Sequence, residues 1–303
     1  MPQSVTEIVD LLDLDTIGPN TFRGRPARST ELVKVYGGQV VAQSLMAAGR
    51  TVSGGRKVHS LHAHFLLGGD TQIPIVYEVE NLRDGGSFSS RRVTARQHGD
   101  LIFHATTSFH KEEPGFEHRP SCPVAPSYDD APPLADVMET TDVHTAAFWR
   151  REWEALDIRY ASDTRPQEQR AETPGLQHVW IRASGPLPTD PFLHTCVLAY
   201  VSDLGLLSAS LVPHGFLVWA PGVPRASLDH SMWFHDSVQA DQWMRFDQSS
   251  AWAGGARGLS NGKVFDTHGR LLASVAQEGL IRPHGAVRAR LDGDGSALRI
   301  HAR

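Results

Sequence analysis

Three polar residues in the last third of the chain stand where polar residues are costly. Asp203 lies in the apolar run Cys196–Leu207, Ser227 opens the stretch Ser227-Leu-Asp-His-Ser-Met-Trp-Phe-His235, and Gln277 ends the strand-like Leu271-Leu-Ala-Ser-Val-Ala-Gln277. They are a carboxylate, a hydroxyl and an amide, each on an element whose neighbours read as buried. Leaving such groups buried and unpaired costs about 1–3 kcal/mol each. Brought together, they could aim a water molecule. An apolar wall desolvates a carboxylate and makes it a better base, while a hydroxyl and an amide can hold the water by hydrogen bonds. Each also has a plainer reading alone. Ser202 or Asp203 suits the cap of a short helix over Asp203-Leu-Gly-Leu-Leu-Ser208, Ser227 suits an ordinary strand, and Gln277 suits a strand edge.

Other chemistries find less support. Gly-x-Ser-x-Gly is absent, which argues against a nucleophile elbow. Cys196 falls mid-helix among apolar residues, a poor setting for a thiolate. In His59-x-x-His62-x-His64, strand alternation puts His62 and His64 on one face and His59 on the other, so no metal and no cofactor is expected. The segment Arg83-Asp-Gly-Gly-Ser-Phe-Ser-Ser-Arg-Arg-Val93 has two readings. Arg83, Arg91 and Arg92 could offer forks to phosphate, or they could pair Asp84 and other acids around a hairpin turn. It fits neither Gly-rich phosphate-loop pattern.

The elements that must position these residues are written twice. His98-Gly-Asp-Leu-Ile102 is echoed by His268-Gly-Arg-Leu-Leu272, and Leu61-His-Ala-His-Phe-Leu66 by Asp229-His-Ser-Met-Trp-Phe234. Each half also carries an apolar helix-length segment, Gly37–Ala48 in the first and Asp190 to about Leu211 in the second. Asp190 and Pro191 suit the N-cap and first turn of the second helix. That helix is apolar almost all round, so a sheet is expected to wrap it. Strands are expected over Lys57–Leu66, Ile73–Leu82, Ser87–Gln97 and Leu101–Lys111. In the second half they are expected over Val179–Ala183, Arg225–Phe234, Trp243–Ser250, Ala256–Phe265 and Leu271–Arg282. Strand runs without intervening helices indicate an antiparallel sheet and an α+β class. The division expected is 1–111, a proline-rich connection 112–171 with a helix near Val143–Leu156, a second unit 172–284, and a tail 285–303.

Composition narrows the class. The 303 residues are 40% apolar and 21% charged, enough for a sizeable core and too apolar for disorder along the whole chain. A formal charge of −5 without a basic run argues against nucleic-acid binding. No apolar run of about 18 residues stands out, so no membrane-spanning helix is expected. The start, Met-Pro-Gln-Ser-Val-Thr-Glu, lacks the pattern of a secretory signal. Two cysteines, Cys122 and Cys196, cannot make a disulfide framework, and a cytoplasmic protein is expected.

Several motifs together resemble one family, the acyl-CoA thioesterase II (TesB-type) enzymes. They are Tyr36-Gly-Gly-Gln-Val-Val41, His59-Ser-Leu-His62, Leu82-Arg-Asp-Gly-x-Ser-Phe88, Gly115-Phe-Glu-His118, Val201-Ser-Asp203, Leu228-Asp-His-Ser-Met-Trp-Phe-His235 and Gln277-Glu-Gly279. The resemblance spans about Ile8 to Pro283. It implies a double hotdog: two tandem units, each a long helix wrapped by a curved antiparallel sheet. It also implies hydrolysis of fatty acyl-CoA to free acid and CoA without a cofactor, with Asp203, Ser227 and Gln277 as a water-activating trio. Backbone amides of Gly37, Gly38 and Gln39 are the candidate oxyanion donors. His59, Arg83, Arg91 and Arg92 are the candidate contacts to CoA. Where relatives often read Phe-Leu-Arg-Pro-Gly-Asp, this chain has Phe65-Leu-Leu-Gly-Gly-Asp70. Homo-oligomers are expected, with neither nucleic acid nor membrane as partner. Two rival readings are a non-catalytic acyl-CoA-binding protein and another hotdog enzyme acting on CoA thioesters, such as a hydratase.

Overall fold

The computed structural model of the chain describes residues 1–162, 175–216 and 223–285. The first half holds α1 (Val5–Leu12), β1 (Asp15–Gly18), β2 (Thr21–Gly24), α2 (Gly37–Gly49), β3 (Lys57–Phe65), β4 (Ile75–Asp84), β5 (Phe88–Gln97) and β6 (Asp100–His110). A connection carries α3 (Leu134–Glu139) and α4 (Val143–Glu152). The second half holds β7 (Leu156–Ser162), β8 (Gln177–Ala183), α5 (Pro191–Ser202), β9 (Arg225–Ser227), β10 (Asp229–Phe234), β11 (Met244–Gly254), β12 (Arg257–Asp266) and β13 (Leu271–Ile281).

The strands form one antiparallel sheet in the order β1-β2-β4-β5-β6-β3-β10-β13-β12-β11-β8-β7, with β9 beside β13. The second half runs through its strands in the reverse of the first, so the echoed segments β3 and β10 meet at the centre. Asp229 stands opposite His64 and Trp233 opposite Ser60. This is the double hotdog. Each half wraps one apolar helix, which is why α2 is buried from Gly38 to Ala48 and α5 almost entirely from Leu193 to Ser202. The Asp190 side chain accepts from the Phe192 amide and Pro191 occupies the first turn, as the sequence suggests.

The differences from expectation are local. α5 stops at Ser202, not near Leu211. Gly205 follows with φ +77°, a left-handed conformation, and the chain continues as a 3-10 turn over Leu206–Ser210. Pro191–His214 as a whole is long and apolar enough by composition to cross a membrane, contrary to the reading of the runs, but 78% of its most apolar window is buried inside the protein. The strand expected over Arg225–Phe234 is split at Leu228. Short β1 and β2 carry no pattern long enough to read, and β7 lies inside the segment 112–171, paired with β8 from Leu156 to Ser162. The boundary expected at 171/172 and the tail from 286 onward fall outside the described residues.

Candidate active site

The split at Leu228 decides where Ser227 points. Along β10, His230 and Met232 face the helix side and are fully buried. Strict alternation from there would send Ser227 to the outer face. The register against β13 shifts by one residue between the two strands: Ser231 pairs Ala276, whereas Ser227 pairs Gly279. That bulge reverses the parity and turns Ser227 inward. Asp229 fills the gap, its Oδ1 accepting from the Glu278 amide at 2.8 Å. Gln277 alternates with Val275 and Gly279 on the inner face of β13 and is wholly buried.

Asp203 ends α5 as its C-cap residue. Neither it nor Ser202 caps the following turn, which begins after Gly205. The three side chains converge. Gln277 Nε2 donates to Asp203 Oδ1 at 2.5 Å and to Ser227 Oγ at 2.7 Å, and Ser227 Oγ donates to the same Asp203 oxygen at 3.0 Å. The hydroxyl and amide thus hold the carboxylate itself and fix its orientation. Its other oxygen, Oδ2, faces Gly37 so closely that a Cβ built there would stand 2.6 Å from it. Asp203 therefore sits at the C-terminus of one helix, where a negative charge is disfavoured, and against the N-terminus of another, where it is favoured.

The helix start is built for that approach. Tyr36, the N-cap of α2, makes no side-chain cap bond and instead donates its hydroxyl to the Tyr200 carbonyl at 2.8 Å. Burial pushes the Tyr36 phenol well above its ordinary pKa, with the Asp203 charge adding to the effect, so it stays protonated as a donor. The Gln39 amide donates to the Tyr36 carbonyl at 3.1 Å and is already engaged. Behind Asp203, Ser202 Oγ donates to the Ala199 carbonyl and lies 2.8 Å from Nε2 of His230. Burial lowers the pKa of this imidazole against the pull of Asp203 and Asp229, which keeps it neutral.

The trio opens on a cavity of about 760 Å³, within the range of small-ligand pockets. Asp203, Ser227 and Gly37 stand in its wall, and most of the remainder is apolar, including Val35, Val40, Phe65, Phe103 and Leu204. Leu67 and Gly68, at the departure from the family pattern, line it too.

The candidate CoA contacts lie elsewhere. None of His59, Arg83, Arg91 and Arg92 lines the cavity. His59 Nε2 is 2.8 Å from Ser108 Oγ, and burial lowers its pKa. Arg92 pairs with Glu80, and Arg83 is exposed at the end of β4. Arg91 is buried, donating to the carbonyls of Thr51, Arg83 and Ser90, to Thr51 Oγ1 and to Asp84 at 2.8 Å. For Arg91 the structure shows the pairing with Asp84 that the hairpin reading describes. Arg91→Lys, which cannot keep this fork of contacts, is expected to lose about 1–3 kcal/mol of stability with the KM for substrate unchanged. Denaturant unfolding and steady-state kinetics on the same preparation measure both. Among the described residues no three His, Cys, Asp or Glu side chains cluster as a metal set. The sequence reading missed Tyr36, His230 and the basic residues Lys34, Arg225 and His284 of the cavity. Arg225 alone left a signal, lying two residues before Ser227 on a strand.

Comparison with known proteins bears on what this site serves. A family profile described as acyl-CoA thioesterase matches residues 152–280, and one described as acyl-CoA thioesterase N-terminal domain matches residues 25–110. The Acyl-CoA thioesterase 2 of Haemophilus influenzae is 37% identical over 294 residues, 93% of this chain and 99% of that protein. This chain belongs to the acyl-CoA thioesterase family. Human Acyl-coenzyme A thioesterase 8 is likewise 37% identical, over 91% of this chain and 88% of the human protein. The crystal structure of the acyl-CoA thioesterase II TesB2 of Mycobacterium marinum, 42% identical, superposes with a TM-score of 0.77 over 92% of this chain and 99% of the other. For a thioesterase the cavity is apt: it has an apolar body and one carboxylate, Asp203, among its described lining residues.

Proposed function

We propose that this thioesterase hydrolyses fatty acyl-CoA to free fatty acid and CoA by direct attack of water activated by Asp203. The observation that carries the reading is the held carboxylate. Ser227 and Gln277 both donate to Oδ1, which leaves Oδ2 as the oxygen turned toward the start of α2 beside the cavity. A water there gives its proton to Oδ2 as its oxygen bonds to the thioester carbonyl carbon. The carbonyl oxygen becomes an oxyanion, for which the backbone amides of Gly37 and Gly38, at the positive end of α2, are the candidate donors. Collapse re-forms the carbonyl and breaks the C–S bond. The thiolate leaves, and the proton on Asp203 returns to it or to solvent. The thiolate is a good leaving group, so no covalent enzyme intermediate is needed.

Thiol release measured over acyl-CoAs of several chain lengths tests the reading. Turnover is expected for fatty acyl chains that the apolar cavity can hold, with kcat/KM rising with chain length until the cavity is filled. One further CH₂ buried contributes about 0.8 kcal/mol. Binding without turnover at every length would instead support a non-catalytic acyl-CoA-binding protein.

A further inference from the structure

We propose that Lys34, Arg225 and His284 form a basic rim to the cavity that receives the phosphate groups of the substrate's thiol carrier. This rests on the acyl-CoA reading above and assigns the polar half of that substrate to residues of this chain. Among the described lining residues these are the basic side chains, and the single acid, Asp203, is held by Ser227 and Gln277. The protein as a whole is net negative at −5, so a positive edge on its cavity runs against the global field.

Local structure places each one. Arg225 lies two residues before Ser227 on β9, so strand alternation turns it to the same inner face. Burial brings its guanidinium down to about 10, which leaves it cationic at neutral pH. Lys34 is exposed, and among the described residues its ammonium meets no acid. Its stem is laid across Gly68: a Cβ at 68 would stand 3.0 Å from Lys34 Cδ. The Val35 amide donates to the Gly69 carbonyl at 3.0 Å and pins this segment beside the 66–69 turn. The Leu67-Gly68 sequence therefore makes room for a lysine carried in from the neighbouring segment. His284, also exposed, adds ring N–H capacity at the rim. A CoA thioester has this polarity, an apolar chain at one end and several phosphate charges at the other. Cations at the mouth and apolar walls within match it in order.

The test compares one acyl chain on two thiols, CoA and N-acetylcysteamine, the second carrying the same thioester without phosphate. In Lys34→Ala the ratio of kcat/KM for the CoA ester to that for the N-acetylcysteamine ester is expected to fall about tenfold, and further in Lys34→Glu. Lys263→Ala, which removes an exposed like charge outside the cavity, is expected to keep the wild-type ratio. A ratio unchanged in both Lys34 variants overturns the proposal. Calorimetric binding of CoA itself separates this from the hydrolase reading, since it needs no turnover. A Kd raised about tenfold in Lys34→Ala supports the rim even if no thioester is cleaved, and an unchanged Kd overturns it even if every thioester is cleaved.

Discussion

Asp203→Asn is expected to lower kcat for acyl-CoA hydrolysis by about 10²–10⁴-fold, the usual span for removing a general base, with KM changed only a few-fold. The substitution is close to isosteric. An asparagine Oδ1 can still accept from the Ser227 hydroxyl and the Gln277 amide, which bond to that oxygen in the native site at 3.0 and 2.5 Å. What it cannot do is take a proton at the position of Oδ2. The group at that position becomes an NH₂ facing the start of α2, where it meets the positive end of the helix that the carboxylate had complemented. The fold should be retained, as thermal unfolding would show, because the side chain at 203 stands in a cavity wall and not in the close-packed core. Thiol release at saturating substrate reads kcat directly. A wild-type rate in this variant would remove Asp203 as the base and with it the mechanism proposed.

The architecture was legible because it is duplicated. The His-Gly turns at 98 and 268 and the echoed strands gave two copies of one pattern, and the long strands were found to within a few residues. α1 and α3 were not read from the sequence, and the strands missed are those whose local signal is short or masked by a neighbour. β1 and β2 have four residues each, and β7 follows directly on a helix pattern whose periodicity runs into it. The end of α5 was overrun because apolarity continues through Leu211, while the break is made by one residue, Gly205, in a left-handed conformation. Hydrophobic pattern reports burial, and both the helix and the 3-10 turn after it are buried.

The site was legible in a different way. Asp203, Ser227 and Gln277 each looked out of place in an apolar context, and that cost is the signal. Their geometry was not legible. A serine at 227 faces inward only because a bulge at Leu228 reverses strand parity, and a one-residue register shift leaves no mark in composition. The arginines were ambiguous for a related reason. Arg83, Arg91 and Arg92 are dense in sequence, and density suits a phosphate site and a self-paired hairpin equally well. Burial separates the three, since Arg91 is 1% exposed while Arg83 and Arg92 are exposed. Lys34, Arg225 and His284 are scattered along the chain and share only the lining of the cavity.

Gly37 and Gly38 should differ in the stability they lose to the same small substitution. A Cβ at Gly38 would stand 2.2 Å from the Tyr200 carbonyl oxygen, a backbone atom of α5 that cannot rotate away. Alanine there must push α2 and α5 apart where the Tyr36 hydroxyl bridges them. The gain of about 1 kcal/mol in helix propensity is outweighed by overpacking and by loss of that bond, each of the order of 1–3 kcal/mol. Gly38→Ala is therefore expected to lower the unfolding free energy by about 2 kcal/mol or more. It should also lower activity, because Asp203 lies one turn beyond Tyr200 on the displaced helix end. A Cβ at Gly37 meets side chains instead: Asp203 Oδ2 at 2.6 Å and the Phe65 ring at 3.1 Å. These can move, so Gly37→Ala is expected to keep most of its stability while turning the carboxylate out of the orientation that Ser227 and Gln277 impose. A displacement on the scale of 1 Å at a reacting centre can cost about 10²-fold in rate. Turnover is expected to fall in both variants, and the unfolding midpoints should separate them, with stability lost at 38 and largely kept at 37. Equal loss of stability at the two positions would mean that the helix contact, and not the placement of the carboxylate, is what both glycines serve.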